Sequence, residues 1–233
     1  YQDENIIIVD KPSGLIVHSE SDDSAEDTLI GRIKAYLYDN GEYDPSAENS
    51  FAPALCNRID RNTQGLVIAA KNASALREMN EIIKHRCVKK TYLAALHGVP
   101  KPLEGEISLL LEKDSANNIV RVRDKRINSG VKTAVTLYRT VSVSADRKLS
   151  LVEIELVTGR THQIRASFAH IGNPLLGDGK YAVNKEDREK GFDHQALCAF
   201  RLEFRDISDY PTLNYLSGKS FTANEPKFLE LFK

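Results

Sequence analysis

One carboxylate set between two guanidinium groups is the arrangement in this sequence best suited to chemistry. It occurs in Asn57-Arg58-Ile59-Asp60-Arg61-Asn62-Thr63-Gln64-Gly65, a polar stretch between Ala54-Leu55-Cys56 and the apolar run 66–70. Guanidinium groups nearby favour the charged carboxylate, so Asp60 is expected to stay ionised. That state suits a nucleophile or base rather than a general acid. An Asp–Arg bridge that only fixes the loop would use the same residues. A second constellation is Thr158-Gly159-Arg160-Thr161-His162-Gln163-Ile164-Arg165. Gly159 precedes an expected helix whose first N–H groups could face an anion such as phosphate, although Thr161 could simply be the helix cap. Arg165 follows the apolar position Ile164 and could run along the interior towards a buried carboxylate. The third is Lys89-Lys90-Thr91-Tyr92-Leu93, in which an aromatic follows two cations. A tyrosine stacking on a base beside phosphate-binding lysines has this pattern, and so does a tyrosine in a core.

Charge is unevenly spread behind a net value of −1. Residues 1–55 hold 12 acids and 3 bases, whereas residues 56–101 hold 9 bases and 3 acids. In 121–139 the six bases Arg121, Arg123, Lys125, Arg126, Lys132 and Arg139 face Asp124 alone. Two basic segments on a neutral chain suggest a local site for a polyanion. Solvated strand faces are the competing explanation. If the stretch is extended, Arg121, Arg123 and Lys125 share one face.

The elements that must hold these residues are mostly strands. Residues 4–9 lead into the turn Lys11-Pro12-Ser13-Gly14, and 15–18 resume an extended pattern. Residues 36–50 turn polar and acidic and read as a surface insertion. The run 65–71 is short enough for a buried strand. Asn72 then caps a helix with Leu76, Met79 and Ile83 on one face, ending in Lys84-His85-Arg86 at the negative end of its dipole. Residues 88–98, 133–141 and 149–157 read as strands, the last alternating Val152, Ile154 and Leu156 with Glu153 and Glu155. A helix is expected over 161–171, with Ile164, Phe168 and Ile171 at helical spacing and Gly172 as its stop. A half-buried strand follows over 196–205. Strands outnumber helices and few lie in βαβ order, so the expected class is α+β with a mixed, largely antiparallel sheet and flanking helices. No repeat or linker divides the chain, and 1–233 reads as one domain.

With 233 residues, 41% of them hydrophobic and 28% charged, the chain can build a full core and is not a disordered or low-complexity protein. The apolar runs 6–9 and 65–70 are far too short to cross a bilayer. Cys56, Cys87 and Cys198 are odd in number and far apart, which encodes neither a disulfide framework nor a zinc knuckle. A reducing, cytoplasmic setting is expected. His162 and His170 have no carboxylate at ligand spacing between them, so no metal site is expected.

Together and in this order, the motifs resemble those of the RluA-type RNA pseudouridine synthases. Tyr1-Gln2-Asp3-Glu4-Asn5-Ile6, with Asp10-Lys11-Pro12-Ser13-Gly14-Leu15 and His18, is similar to the family's first motif. The Asp60 stretch is similar to the second, which usually begins His-Arg-Leu-Asp and ends Thr-Ser-Gly. Lys90-Thr91-Tyr92-Leu93-Ala94 matches the tyrosine motif. Residues 159–165, with Pro174-Leu175-Leu176-Gly177-Asp178 and Tyr181, match the third. The chain departs from the pattern at Asn57, Ile59 and Gln64, which bears on the loop's hydrogen bonding and leaves the aspartate and both arginines in place.

The resemblance implies a pseudouridine-synthase fold with a central active-site cleft and isomerisation of uridine to pseudouridine in ribosomal or transfer RNA, ribosomal first. Because the reaction adds and removes nothing overall, no cofactor or metal is required, and the resemblance does not imply an obligate protein partner. It makes Asp60 the catalytic aspartate, Tyr92 the residue packed on the target base and Arg165 the basic partner of the aspartate. Arg58 becomes the arginine inserted where the flipped base had been. Arg61, Lys89, Lys90, Arg160 and His162 are expected to contact RNA, and the basic face adds Arg121 and Arg123. Members of the family often carry a small RNA-binding domain ahead of the catalytic one, and the start at Tyr1 is compatible with such a domain upstream. Two other readings remain: a non-catalytic RNA-binding module, and a glycosidase. The latter needs a second carboxylate, for which the motifs offer only Asp178, in a Gly-Asp-Gly context that reads as a turn.

Overall fold

Apolar runs near the N-terminus pair first. Ile6–Lys11 (β1) lies antiparallel to Gln64–Ala70, with Ile6 opposite Ala70 and Lys11 opposite Gly65. The short strand Ala54–Leu55 (β2) pairs with the same partner, which is β3. β3 is buried from Gly65 to Ala70, as its unbroken apolar run requires. The computed structural model describes residues 1–19, 27–48, 50–114 and 116–233. Glu20, Asp22, Asp23 and Glu26, counted above in the acidic segment, lie outside the described residues. The described chain divides into two compact units, Tyr1–Lys89 with Arg201–Asn224, and Lys90–Phe200 with Glu225–Lys233.

Two helices complete the first unit. Leu29–Asp39 (α1) buries Leu29, Ile33 and Leu37, four residues apart, and Thr28 caps it through Gly31 N–H at 3.0 Å. The expectations above placed no helix there and began the surface insertion at 36. The helix therefore takes its first four residues, and mostly exposed turns follow. Ala73–Lys84 (α2) starts on the expected cap, Asn72, which accepts from Ala75 N–H at 2.9 Å. It packs against β3. Its buried line is Ala75, Met79 and Ile82, with Leu76 and Ile83 only partly covered. From its outer side Glu78 accepts hydrogen bonds from Thr212 N–H and Oγ1–H and from Leu213 N–H, tying the 201–224 segment to the helix. Residues 15–18 do not form a strand; Ile16 makes only an isolated bridge to Thr28.

The second unit is a set of long antiparallel strands. Val88–His97 (β4), from Lys90 onward, pairs with Leu149–Leu156, which in turn pairs with Val131–Val143. Glu104–Asp114 (β5) joins Ile119–Arg123 (β6) to Val131–Val143 (β7), and Leu149–Leu156 is β8. β5 was not expected from the sequence, because its apolar and charged residues do not alternate cleanly. Gln163–His170 (α3) packs on β5, β6 and β7 around Leu111, Val120, Ala134 and Ala166. It is shorter at both ends than 161–171: His162 turns left-handed with φ 49°, and Ile171 is a half-exposed cap residue instead of a core residue. Gly172 stops it at φ 81° as expected. Lys185–Glu189 (α4) and Leu197–Phe204 (β9) follow, and Ser220–Thr222 (β10) pairs with the 201–203 part of β9 in the first unit.

The strand pairings given above are antiparallel, apart from the isolated parallel bridge at Ile16. The class is α+β with a largely antiparallel sheet, as read from the sequence.

Candidate active site

The loop carrying Asp60 is braced from both sides within the first unit. Because β2 and β3 are antiparallel neighbours, the chain between them must leave the sheet and return beside itself. Cys56 N–H bonds Ile68 O at 2.8 Å, and Asn57 continues the pairing with its side chain. Asn57 Oδ1 accepts from Ile68 N–H at 2.7 Å, and Nδ2–H donates to Leu66 O at 3.4 Å. The asparagine that stands where the family pattern has histidine thus acts as a strand residue and fixes where the loop departs. Ile59 is buried, and Thr63 N–H closes a turn onto Asp60 O at 3.0 Å.

The turn after β1 holds the loop's far side. Gly14 N–H and Lys11 Nζ both donate to Arg61 O, at 3.0 and 2.8 Å, and Ser13 Oγ–H donates to Asn62 O at 3.0 Å. Asp60 is left half-buried between Arg58 and Arg61, which are exposed. Among the described residues Arg58 makes no hydrogen bond or ion pair, so it does not form a loop-fixing bridge with Asp60. The sequence places Lys11 in a turn and in the first motif without a role for its side chain, which is fully buried, and its ammonium also donates to Pro12 O and Leu15 O, at 2.9 and 2.7 Å. Those three bonds satisfy all its donors, and its charge acts on Asp60.

Burial pushes the Lys11 ammonium down to about 8, against the attraction of Asp60. The unfolded chain therefore binds the extra proton between about pH 8 and 10.5, and folding is increasingly favoured as pH rises through that window. Stability measured by urea unfolding should rise by up to about 3 kcal/mol across it, relative to a Lys11→Met variant. A constant difference between the two proteins would show that Lys11 titrates alike folded and unfolded.

The second unit holds the other expected residues. Tyr92 lies buried on β4 opposite Ile154 of β8. Lys90, on the same strand, has its ammonium pKa lowered by burial. Lys89 belongs to the first unit and lies 3.9 Å from Glu203. Arg165 and Asp178 form a buried fork, Nε to Oδ2 at 2.7 Å and Nη2 to Oδ1 at 2.8 Å, with 6% and 1% exposure. The guanidinium also lies 5.2 Å from the centre of the Tyr181 ring. Asp178 does sit in a turn, but the turn's effect is to aim a carboxylate. Gly177, at φ 76°, would place any Cβ 2.2 Å from His194 O, so only glycine fits before it. Asp187 accepts from Gly177 N–H at 2.8 Å and holds the turn.

The segment before α3 is organised by Gln163, which the sequence reading passed over. Its Oε1 accepts from Arg160 N–H and Thr158 Oγ1–H, and its Nε2–H groups donate to Val135 O and Thr136 Oγ1. Thr161 is not the cap; His162 occupies that position without a capping bond, and its Nδ1 meets Tyr181 OH at 2.9 Å. Arg160 is exposed and reaches Thr133 O at 3.2 Å. Arg121 and Arg123 do share one face of β6, while Lys125 lies beyond the strand. Both arginines are paired, Arg121 with Asp114 at 3.1 Å and Arg123 with Glu112 at 2.7 Å. The acids come from β5, where the register sets Glu112 opposite Arg121.

The family model described as RNA pseudouridylate synthase matches residues 5–170. An uncharacterized RNA pseudouridine synthase of Mycoplasma genitalium is 36% identical over 96% of this chain and 68% of its own length. A ribosomal large subunit pseudouridine synthase C of Rickettsia bellii is 34% identical over 79% of the chain and 56% of its own, and a synthase D of Zymomonas mobilis is 30% identical over 99% and 70%. Among solved structures, human RNA pseudouridylate synthase domain containing 4 superposes with a TM-score of 0.73 at 22% identity, covering 99% of this chain and 89% of that one, which shows the shared fold. The chain belongs to the RNA pseudouridine synthases, of the RluA type to which its motifs point, and is an isomerase acting on RNA.

Proposed function

We propose that the chain is a catalytic domain that isomerises particular uridines in structured RNA, with large-subunit ribosomal RNA as its substrate and Asp60 as the essential catalytic residue. The Asp60 loop carries the reading: an ionisable carboxylate between two exposed arginines, clamped by Lys11, Ser13, Gly14 and Asn57. The choice of ribosomal RNA is supported by the names of the Rickettsia and Zymomonas relatives. Cys56, Cys87 and Cys198 form no disulfide among the described residues, which supports a reducing, cytoplasmic setting.

In the reaction the bond between ribose C1′ and uracil N1 breaks, and a bond between C1′ and C5 forms. The proton on C5 leaves and N1 ends protonated, so the product is an isomer. Asp60 supplies the carboxylate to this exchange, Tyr92 an aromatic wall for the base, and Arg165 a fixed positive charge. The nucleotide must leave its stack, at a few kcal/mol, and Arg58 fills the space it vacates. Arg61, Lys89, Lys90, Arg160 and His162 contact the RNA. Arg121 and Arg123 join them only by exchanging Asp114 and Glu112 for phosphates, so their net contribution is small.

The test is to incubate the protein with large-subunit ribosomal RNA and with transfer RNA transcripts, then assay pseudouridine and free uracil. Pseudouridine in the ribosomal RNA alone is expected. Modification of transfer RNA alone moves the substrate assignment, free uracil makes the protein a hydrolase, and binding without product makes it a non-catalytic module. With a substrate in hand, Arg58→Ala should slow modification of a stem-loop about ten-fold more than that of an unstructured oligonucleotide of the same sequence, since a single strand reaches the flipped state more easily. Equal losses on both would confine Arg58 to shaping the loop.

A further inference from the structure

A recess of about 440 Å³ opens beside the Asp60 loop in the first unit, with Ile30, Pro53 and Leu55 among its apolar lining and His18, Lys34 and Arg58 as its ionisable groups. Its size suits a small polar ligand. Among the described residues no acid lines it. Residues 1–55 contain three bases, Lys11, Arg32 and Lys34. Lys11 is buried among carbonyls, and Arg32 is forked onto Asp27 through Nε at 2.8 Å and a second, shorter bond from Nη2. Lys34 has no acidic partner among the described residues, and neither does Arg58. Two cations that have no acidic partner among the described residues, and a histidine, around an apolar lining fit an anion that also carries a flat apolar face. A nucleotide has both. Along α1, Ile30, Lys34 and Tyr38 follow one another at a spacing of four and so form one ridge. Tyr38 is 57% exposed, an aromatic surface on which a base can stack.

We propose that this recess binds a nucleotide flanking the target uridine, with Lys34 on its phosphate and the Ile30–Pro53–Leu55 lining against its sugar and base. Arg58 lies two residues from Asp60, so the strand that presents the target reaches the recess within a nucleotide or two. The proposal rests on the RNA-modifying activity assigned above and extends it to a backbone subsite on α1. Phosphate contacts position a strand without reading its bases, so this subsite adds affinity across sequences.

Lys34→Ala and Lys34→Glu change a half-exposed side chain outside the candidate catalytic loop, and their thermal midpoints should match the native protein. A labelled twelve-nucleotide oligouridine serves as the probe. Binding should weaken about five-fold for Lys34→Ala and more for Lys34→Glu, and log affinity against log salt should lose about 0.7 of slope. With a modifiable stem-loop, KM should rise by a similar factor at unchanged kcat. In the native protein, oligouridine should shield Lys34 from amine acylation, read by mass spectrometry, so the site is probed even without a folded variant. Unchanged affinity and slope, or equal acylation with and without RNA, overturns the subsite. If the native protein makes no pseudouridine but Lys34 governs oligouridine binding as stated, the subsite stands and the catalytic assignment falls.

Discussion

Asp60→Asn is expected to abolish pseudouridine formation while leaving RNA affinity within a few fold of the native value. The exchange replaces one carboxylate oxygen by an amide nitrogen of similar size. Several contacts that shape the loop use other groups: the turn uses Asp60 O, Lys11 holds Arg61 O, and Asn57 fixes the departure from β3. The carboxamide cannot act as an anionic nucleophile or base, so a loss confined to the chemical step follows. Binding draws on cations elsewhere, which neutralise phosphates whether or not the uridine reacts. The check is single-turnover conversion of a modifiable RNA beside its dissociation constant, at one salt concentration. Turnover by the variant within ten-fold of native would remove Asp60 from the chemistry. A large fall in affinity instead would place it in RNA binding.

Asp178→Ala is expected to destabilise the protein by about 3–5 kcal/mol, because it leaves the Arg165 guanidinium buried without its two-bond partner. With 6% and 1% exposure, neither member of the pair has the solvent that would replace the other. In a chain of this length the change lowers the thermal midpoint by roughly 6–20 °C. The double variant Arg165→Met with Asp178→Leu removes both charges, and its stability should exceed that of Asp178→Ala. Activity should be lost in both, because Arg165 is assigned a role in the reaction as well as in the fold. A midpoint within 2 °C of native for Asp178→Ala would show that water or a neighbouring group reaches the guanidinium, and that the pair is not a keystone of the second unit.

Much of this was written in local patterns. β3 is a continuous apolar run, and α2 has its cap at Asn72 and apolar positions at helical spacing. Period and cap suffice to find such an element, although the face that α2 buries, Ala75, Met79 and Ile82, is turned from the one that Leu76 and Ile83 mark. The Asp60 loop was visible for the same reason, as a polar interval between two apolar stretches. Where the spacing was ambiguous, prediction failed. In β5 Leu110 breaks the alternation of Ile107, Leu109 and Leu111, and in 15–18 only Ile16 finds a bridge, to Thr28, among the described residues.

The partners of the functional side chains were settled only in three dimensions. Lys11 reaches Arg61 O across 50 residues, and Arg165 reaches Asp178 across 13. Arg121 and Arg123 read as a bare cationic face until the β5–β6 register set Glu112 and Asp114 beside them. Motif spacing records which residues the chemistry needs. A buried charge is tolerable only where folding brings it an opposite charge or several hydrogen-bonding oxygens. Which groups do so depends on strand register and turn geometry, and these are properties of the packed chain.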